Sequence, residues 1–341
     1  MATDNFKLKS PLKVTLNVTN RCNFKCVHCY NGSSSGWEGE ELGLAEIKSL
    51  LKELKKMEVF LISVNGGEPF LRKDIFEILE EINRLGFVSN INTNASLVTP
   101  EIAKRMSELG FKSVDVSLHA DNRKNFLRFT GSELFDQTAA GIKNLIKAGV
   151  PPSIAFVATS VNISWASDVV KTAANLGVRS MHTIVLVERG RAAGSGLTVK
   201  MADLKKAYDK LIKQGEKYKV DLFLECPFNL HEGIASYGME DIEMDGGCFG
   251  GRYLACVQAN GDVTPCALFP DYVVGNIKQK KFFDIWNSSE MSALEGGKYE
   301  LPEGCGRCEI LAKCHGGCPT SSYSPEGFVP DHFCVKNKNN N

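Results

Sequence analysis

The sequence predicts an α/β fold in two parts: a series of βα units built on parallel strands, then a cysteine-rich C-terminal third. Three observations carry that reading. Strand-like and helix-like segments alternate from residue 13 to residue 220. The helix-like segments at 74–86, 100–110, 135–149 and 164–177 each end on a glycine, a common helix stop. The cysteines are unevenly spread: Cys22, Cys26 and Cys29, then none until Cys226, then eight between Cys248 and Cys334.

Each element has its own warrant. KVTLNVT (13–19) alternates apolar and polar residues, as a half-buried strand does, and LAEIKSLLKELKKM (44–57) spaces its apolar residues as a helix. VFLISVNG (59–66) reads as a buried strand and DIFEILEEINRLG (74–86) as its helix. FVSNINTN (87–94), SVDVSLH (113–119), SIAFVAT (153–159) and MHTIVLV (181–187) read as further strands, with a last helix at 199–220. Such βα units imply parallel strands joined by right-handed crossovers. Six strands fall short of the eight in a closed barrel, so a partial barrel and an open doubly wound sheet both fit. Residues 1–11 are expected to be an extension, 221–247 a linker, and the polar 336–341 a disordered tail.

Composition narrows the function. Forty basic residues balance forty acidic ones, which argues against nucleic acid or an anionic membrane surface as partner. No apolar run approaches the roughly 18 residues of a membrane span. The N-terminus MATDNFKLKSPLK has no apolar core or small-residue cleavage site, so no secretory signal is expected and the compartment reads as a reducing cytoplasm. There, twelve cysteines read as metal or redox ligands rather than disulfides.

CNFKCVHCY (22–30) follows the first strand, where βα folds gather their active-site groups. Four thiolates complete a 4Fe–4S cluster and three leave one iron open, and an open position marks a catalytic metal site. A zinc site borrowing His28, or three unrelated buried cysteines, are the plainer readings. His28 sits directly between ligands, which argues against its binding the same metal.

Cys-x3-Cys-x2-Cys after a first strand, with a ring residue before the third cysteine, resembles the radical S-adenosylmethionine (radical SAM) superfamily. The resemblance implies a partial (β/α)6 TIM-like barrel over 12–220 and a 4Fe–4S cluster on Cys22, Cys26 and Cys29. The open iron would chelate S-adenosylmethionine, which is cleaved to a 5′-deoxyadenosyl radical. His28 would lie near the adenine. In NGGEP (65–69), Gly66 and Gly67 would let backbone approach a ligand, Glu68 would accept from the methionine ammonium and Pro69 would stiffen the turn. A tight turn with an exposed Glu is the alternative. Asn94 would contact the ribose or simply make an Asn turn. Ser117 and Arg128 match positions that hold the methionine carboxylate, a role that suits a guanidinium. The loop VERGRAAG carries Arg189 and Arg191, resembling Gly-Arg turns in related enzymes.

The C-terminal spacing, Cys248-x12-Gly261-x4-Cys266, Cys305-x2-Cys308-x5-Cys314-x3-Cys318 and Cys334, resembles the SPASM extension of this superfamily, here over 248–335. Cys256 makes an eighth thiol, and eight are what two fully ligated 4Fe–4S clusters need. By resemblance, Cys248, Cys256, Cys266 and Cys318 hold the nearer auxiliary cluster. Cys305, Cys308, Cys314 and Cys334 hold the farther one. Zinc knuckles are the alternative. Cys226 is left over as a small buried residue, and His315 would support Cys314 rather than bind metal. Full ligation favours electron transfer or a structural staple over substrate binding at an auxiliary iron.

Relatives with this extension mostly modify ribosomally made peptides, so a peptide or protein substrate is expected, altered by crosslinking, epimerisation or oxidation. A flavodoxin or ferredoxin would donate the electron. Ala267 stands where sulfatase-maturing relatives carry an acidic residue, which argues against that reaction. With the first strand at Lys13, no fused leader-peptide-binding domain is expected, so a peptide substrate would need a separate binding protein or direct recognition. A second reading is a small-molecule substrate such as a tetrapyrrole or other cofactor precursor, its carboxylates held by Arg189 and Arg191. A third is a non-catalytic, metal-stapled binding or redox-sensing protein.

Overall fold

The computed structural model describes residues 8–224, 248–294, 300–324 and 326–334; Cys226, most of the expected linker and the tail lie outside them. Its first part runs β1 (Lys13–Asn17), α1 (Leu44–Lys56), β2 (Leu61–Asn65), α2 (Ile75–Arg84), β3 (Val88–Thr93), α3 (Pro100–Glu108), β4 (Val114–Ser117), α4 (Arg123–Thr130) and α5 (Phe135–Lys147). It continues through β5 (Pro152–Ala158), α6 (Ala166–Leu176), β6 (Ser180–Val185), α7 (Met201–Tyr218) and β7 (Asp221–Leu224). All six strands and six helices read from the sequence are present.

Two elements were not read. α4 starts on an Asn122 cap and ends at Gly131 in the left-handed region, but its eight residues carry a buried stripe of only Phe126, Phe129 and Thr130, too short to stand out as a helical period. β7 lies where the linker was expected to begin. Its four residues fall below the length at which alternation can be read, and only pairing with β6 makes them a strand.

The strands β1 to β7 lie in the sheet in chain order, each parallel to the last. A doubly wound sheet reverses direction at a switch point, and this one does not. Right-handed crossovers that always advance the same way put every helix on one face and curl the sheet into a partial barrel. The strand residues follow that geometry. Val14, Leu16, Ile62, Val64, Ile91, Val114, Val116, Ile154, Phe156 and Met181 are at most 1% exposed and form the core with the helices. Each contributes about 2 kcal/mol of burial. α1 answers with Ile47, Leu50, Leu51 and Leu54 at the i, i+3, i+4, i+7 spacing of a helical stripe.

The opposite, inner face is polar. Register aligns Asn17 with Asn65, Asn92 with Asp115, Asp115 with Ser153 and Ser153 with Ser180. The Asn92 amide donates to Asn65 Oδ1, which carries the row from β2 to β3.

The C-terminal region is not a detached module. β8 (Leu254–Val257) pairs parallel with β1, then β9 (Asp262–Thr264) and β10 (Gly275–Asn276) extend the sheet antiparallel. Gln258 follows β8 and accepts from the Asn17 amide at 2.7 Å, adding a seventh member to the polar row. Trp286, in α8 (Phe282–Trp286), is fully buried and donates to Leu8 O at 3.0 Å, tying the chain start to this region. Among the described residues no helix is long and apolar enough to cross a membrane.

Candidate active site

The three-cysteine loop leaves the top of β1 and is gripped from several sides. Below it, Arg72 is buried, pairs with Asp74 and donates to Val18 O at 2.7 Å. At its start, Glu41 accepts from Thr19 Oγ1, from Asn20 N at 3.1 Å and from Arg21 Nη2 at 3.1 Å. On one flank, Gly67 N donates to Thr19 O and Glu68 N to Arg21 O, at 2.7 and 2.8 Å. On another, Lys25 N and Val27 N donate to Thr130 O and Phe129 O at the end of α4. From β6, Arg191 N donates to Cys29 O at 2.9 Å, and its guanidinium donates to Cys26 O, Gly32 O and Ser33 O.

Inside this frame the thiols of Cys22, Cys26 and Cys29 converge. Burial pushes the Cys22 thiol up to about 12 and raises Cys26 as well, with Cys29 adding to both and Arg191 pulling both back. Among the described residues no three His, Cys, Asp or Glu side chains already stand in coordination geometry. The fit to a cluster therefore rests on the donor set: three soft thiols gathered by one loop, Cys22 buried and Cys26 and Cys29 half-buried.

His28 turns its ring away from the loop. It stacks on Phe129 at 4.7 Å and meets His119 edge-on at 4.4 Å. Burial, then Arg191, lowers its pKa to about 3, so the ring is neutral. Its Nδ1 is buried without a hydrogen-bond partner among the described residues, an opening that a polar ligand would satisfy.

The NGGEP segment acts differently from the sequence expectation. A Cβ on Gly66 would meet Thr19 O at 2.4 Å, and one on Gly67 would meet Arg21 O at 2.2 Å. The close approach these glycines permit is to the cysteine loop. Glu68 is not the exposed side chain of a turn, nor is its carboxylate open to an ammonium. It is fully buried and accepts from Thr93 Oγ1 at 2.7 Å, Asn94 N at 2.8 Å and Phe70 N at 3.2 Å. What the segment can offer a ligand is backbone. Pro69 is buried and opens the short turn that follows.

Burial nonetheless outweighs those three donors and pushes the Glu68 pKa up to about 7. With the folded value above the unfolded 4.5, the folded protein keeps a proton that the unfolded chain has lost. Stability should therefore fall as pH rises from 4.5 through 7, by roughly 3 kcal/mol at most. Glu68→Gln should flatten that slope, as read by chemical denaturation across the window.

The remaining expected residues divide. Asn94 is buried and makes an Asx turn, its Oδ1 accepting from Ser96 N at 3.0 Å, while its amide donates to Asn23 in the cysteine loop at 2.8 Å. Ser117 ends β4, half-buried on the polar inner face. Arg128 is exposed on α4 with its guanidinium 5.8 Å from the Trp165 ring. Arg189 and Arg191 are not available for substrate carboxylates. Arg191 is spent on the cysteine loop, and Arg189 donates to Thr320 O and Tyr323 O.

The C-terminal thiols form two neighbourhoods. Cys248 feels Cys318 and Cys266, and Cys256, fully buried in β8, feels Cys266; Cys305 and Cys314 each feel Cys334, and Cys305 feels Cys308. Asp331 joins the two groups and was not singled out in the sequence. Its buried carboxylate accepts from Cys318 N at 2.8 Å and Phe333 N at 2.7 Å, just before Cys334. Tyr30 was also missed. Burial raises its pKa, Cys256, Cys29 and Cys266 add to that and a hydrogen bond with Asn65 opposes it, so it stands between the N-terminal loop and the first C-terminal group.

A partial barrel with three thiols on its first loop and a second cysteine-rich layer defines the class of enzymes that use S-adenosylmethionine on an iron–sulfur cluster. Residues 16–164 match the Radical SAM superfamily and residues 248–309 match SPASM, an iron–sulfur cluster-binding domain. The chain is 30% identical over 342 residues to an AdoMet-dependent heme synthase of Methanosarcina barkeri, covering 96% of this chain and 97% of that one. It is 28% identical to the mycofactocin maturase MftC of Mycobacterium tuberculosis, covering 96% and 84%. In fold it is similar to Streptococcus suis SuiB bound to precursor peptide SuiA, with TM-score 0.77, 19% identity and 95% and 76% coverage. It also resembles anSMEcpe with bound AdoMet, with TM-score 0.74, 20% identity and 95% and 94% coverage. The chain belongs to the radical SAM superfamily and carries a SPASM domain. Its cofactors are accordingly S-adenosylmethionine, the 4Fe–4S cluster that binds it, and auxiliary iron–sulfur clusters.

Proposed function

We propose that this enzyme modifies a ribosomally made peptide by hydrogen abstraction. When bound, the cluster and S-adenosylmethionine supply a 5′-deoxyadenosyl radical, and the protein's part is to hold, orient and exclude water. Cys22, Cys26 and Cys29 are the residues to hold the first cluster. Cys248, Cys256, Cys266 and Cys318 would hold one auxiliary cluster, and Cys305, Cys308, Cys314 and Cys334 the other. The neighbourhoods of the thiols support that division. His28 and the backbone of Gly66–Pro69 line the proposed S-adenosylmethionine site, with Asn94 bracing the cysteine loop. Ser117 and Arg128 are carried as carboxylate contacts by resemblance alone. A flavodoxin or ferredoxin as donor and a separate leader-binding protein complete the proposal.

The observation that carries the peptide reading is the inner face of the barrel. Asn65 and Asn92, half-buried on that face, offer amides, which both donate and accept, as a peptide backbone requires, and the buried Asn17–Gln258 pair continues the row behind them. Lys13, at the far end of β1, is the sole Lys or Arg on the inner face of β1–β6, where His182 lies 4.0 Å from the Asp115 carboxylate. A substrate bearing several carboxylates would be desolvated there without charge partners, at a cost of several kcal/mol each.

A second reading, a tetrapyrrole substrate, is favoured by the near full-length similarity to the heme synthase. One experiment separates them. Anaerobically reconstituted enzyme with S-adenosylmethionine and reductant is given either peptides encoded beside its gene or Fe-coproporphyrin III. A mass change in a peptide with matching 5′-deoxyadenosine is expected. Turnover of the porphyrin with every peptide untouched would overturn the peptide reading.

A further inference from the structure

The loop after β6 contains a bracket made of Arg189, Gly190 and Arg191. Arg191 reaches one way. Its Nε donates to Cys26 O at 2.8 Å and its Nη2 to Ser33 O at 2.6 Å, and its own N–H takes Cys29 O. Two of these carbonyls belong to cysteines of the first loop. Arg189 reaches the other way. Its Nε donates to Thr320 O at 3.1 Å, its Nη2 reaches both Thr320 O and Tyr323 O, and the guanidinium lies 5.6 Å from the rings of Phe269 and Tyr323. Thr320 follows Cys318 by two residues and Phe269 follows Cys266 by three, so this grip falls on the loops of the first C-terminal thiol group. Gly190 sits between them at φ +56°, and a Cβ there would meet Tyr30 O at 2.2 Å. The bracket is therefore pressed against the cysteine loop with no room for a side chain.

The chemistry is well matched. Backbone carbonyls in an irregular loop have no ladder partners, and a guanidinium offers five N–H groups in a rigid fork. Lysine, with a single ammonium on a flexible stem, cannot reproduce that geometry. On an extended segment residues i and i+2 would share a side. Here Arg189 is extended but Gly190, at φ +56°, opens a 3-10 turn over Gly190–Ala192, and that turn swings the two side chains apart so that one short stretch holds two loops at once.

We propose that Arg191 is the positioning residue that sets the shape of the three-cysteine loop, and that Arg189 locks the same segment to the SPASM domain, so that the two metal-binding layers keep one fixed relation. The proposal rests on the thiols of both layers binding iron–sulfur clusters, and is independent of whether the substrate is a peptide or a tetrapyrrole.

The test uses the full-length holoprotein challenged with an iron chelator in the presence of a thiol-alkylating reagent, without substrate. Iron release is followed by absorbance and newly modified cysteines by mass spectrometry. Losing charged hydrogen bonds to three carbonyls should speed release from the first site about tenfold or more in Arg191→Gln, with alkylation appearing first at Cys26 and Cys29. The slower phase from Cys305, Cys308, Cys314 and Cys334 should not change. Arg189→Gln should instead speed modification of Cys266 and Cys318. Arg191→Lys should fall between wild type and Arg191→Gln. The electron paramagnetic resonance signal of the reduced first cluster should shift less on adding S-adenosylmethionine in Arg191→Gln than in wild type.

Unchanged release and an unchanged spectral shift in Arg191→Gln would overturn the proposal. So would equal acceleration at all the cysteines, which reports general loosening. If Arg191→Gln does not accumulate as folded protein, Arg191→Lys decides by the same site-resolved readout.

Discussion

Cys29→Ala is expected to abolish reductive cleavage of S-adenosylmethionine while leaving the C-terminal cysteines with their iron. Cys29 suits the test because it is half-buried, whereas Cys22 is only 9% exposed and its truncation would leave a cavity near the core. The backbone of residue 29 keeps its bond to Arg191 whatever the side chain, so the loop should retain its frame. With two thiols left, the first cluster loses an essential ligand. Iron should fall by about a third, from about twelve per chain, if three 4Fe–4S clusters are present. Formation of 5′-deoxyadenosine should be undetectable by chromatography. Persistent cleavage, or zinc in place of iron, would count against the cluster assignment. Wild-type protein that binds iron but never cleaves S-adenosylmethionine would revive the non-catalytic reading.

Gly67→Ala is expected to have the second-largest effect, and through packing alone. The added Cβ would lie 2.2 Å from Arg21 O and 2.9 Å from Cys22 Cβ. Both neighbours are close to the backbone and cannot swing aside, so the β2 loop must part from the cysteine loop. That movement stretches two hydrogen bonds, Gly67 N to Thr19 O and Glu68 N to Arg21 O. Overpacking of about 1–3 kcal/mol and about 1 kcal/mol per weakened bond add to a loss of about 3–5 kcal/mol. A lower thermal midpoint and reduced iron at the first site should appear together. Gly36→Ala is the control: nothing lies within 4 Å of its Cβ, and a change within about 0.5 kcal/mol is expected. If Gly67→Ala behaves like Gly36→Ala, the tight union of the two loops does not govern the site.

These two substitutions differ in how far the sequence exposes their reasons. That Cys29 belongs to a metal site is legible from residue type and spacing, because thiolates bind soft metals and three within eight residues must share one loop. That Gly67 serves the cysteine loop is not legible. NGGEP reads equally as a turn that admits a ligand, and only the position of Arg21 O, 46 residues earlier in the chain, decides which atom fills the space. Glu68 shows the same ambiguity. A glutamate after two glycines reads as an exposed or ligand-facing carboxylate, yet its partners Thr93 and Asn94 come from the end of β3.

The arginines of the β6 loop carry the point furthest. Composition marks Arg189 and Arg191 as cations fit for a substrate's carboxylates. The fold gives each one backbone carbonyls instead, in opposite layers of the molecule. A carbonyl oxygen is present at every residue and leaves no mark in a sequence, so its capture by a distant side chain cannot be read in advance.

By itself, the sequence determined the chemistry of the metal sites, the alternation of strands and helices, and which strand face is apolar, because residue type and local period decide these. The tertiary structure alone decided that the sheet winds in one direction and takes β8 against β1. It also made α4 a support for the cysteine loop, aligned the amides of four segments into one row, and gave two arginines a scaffold role. Each of those depends on what a residue meets across the fold, and contacts between distant segments are set by the packing of the whole chain.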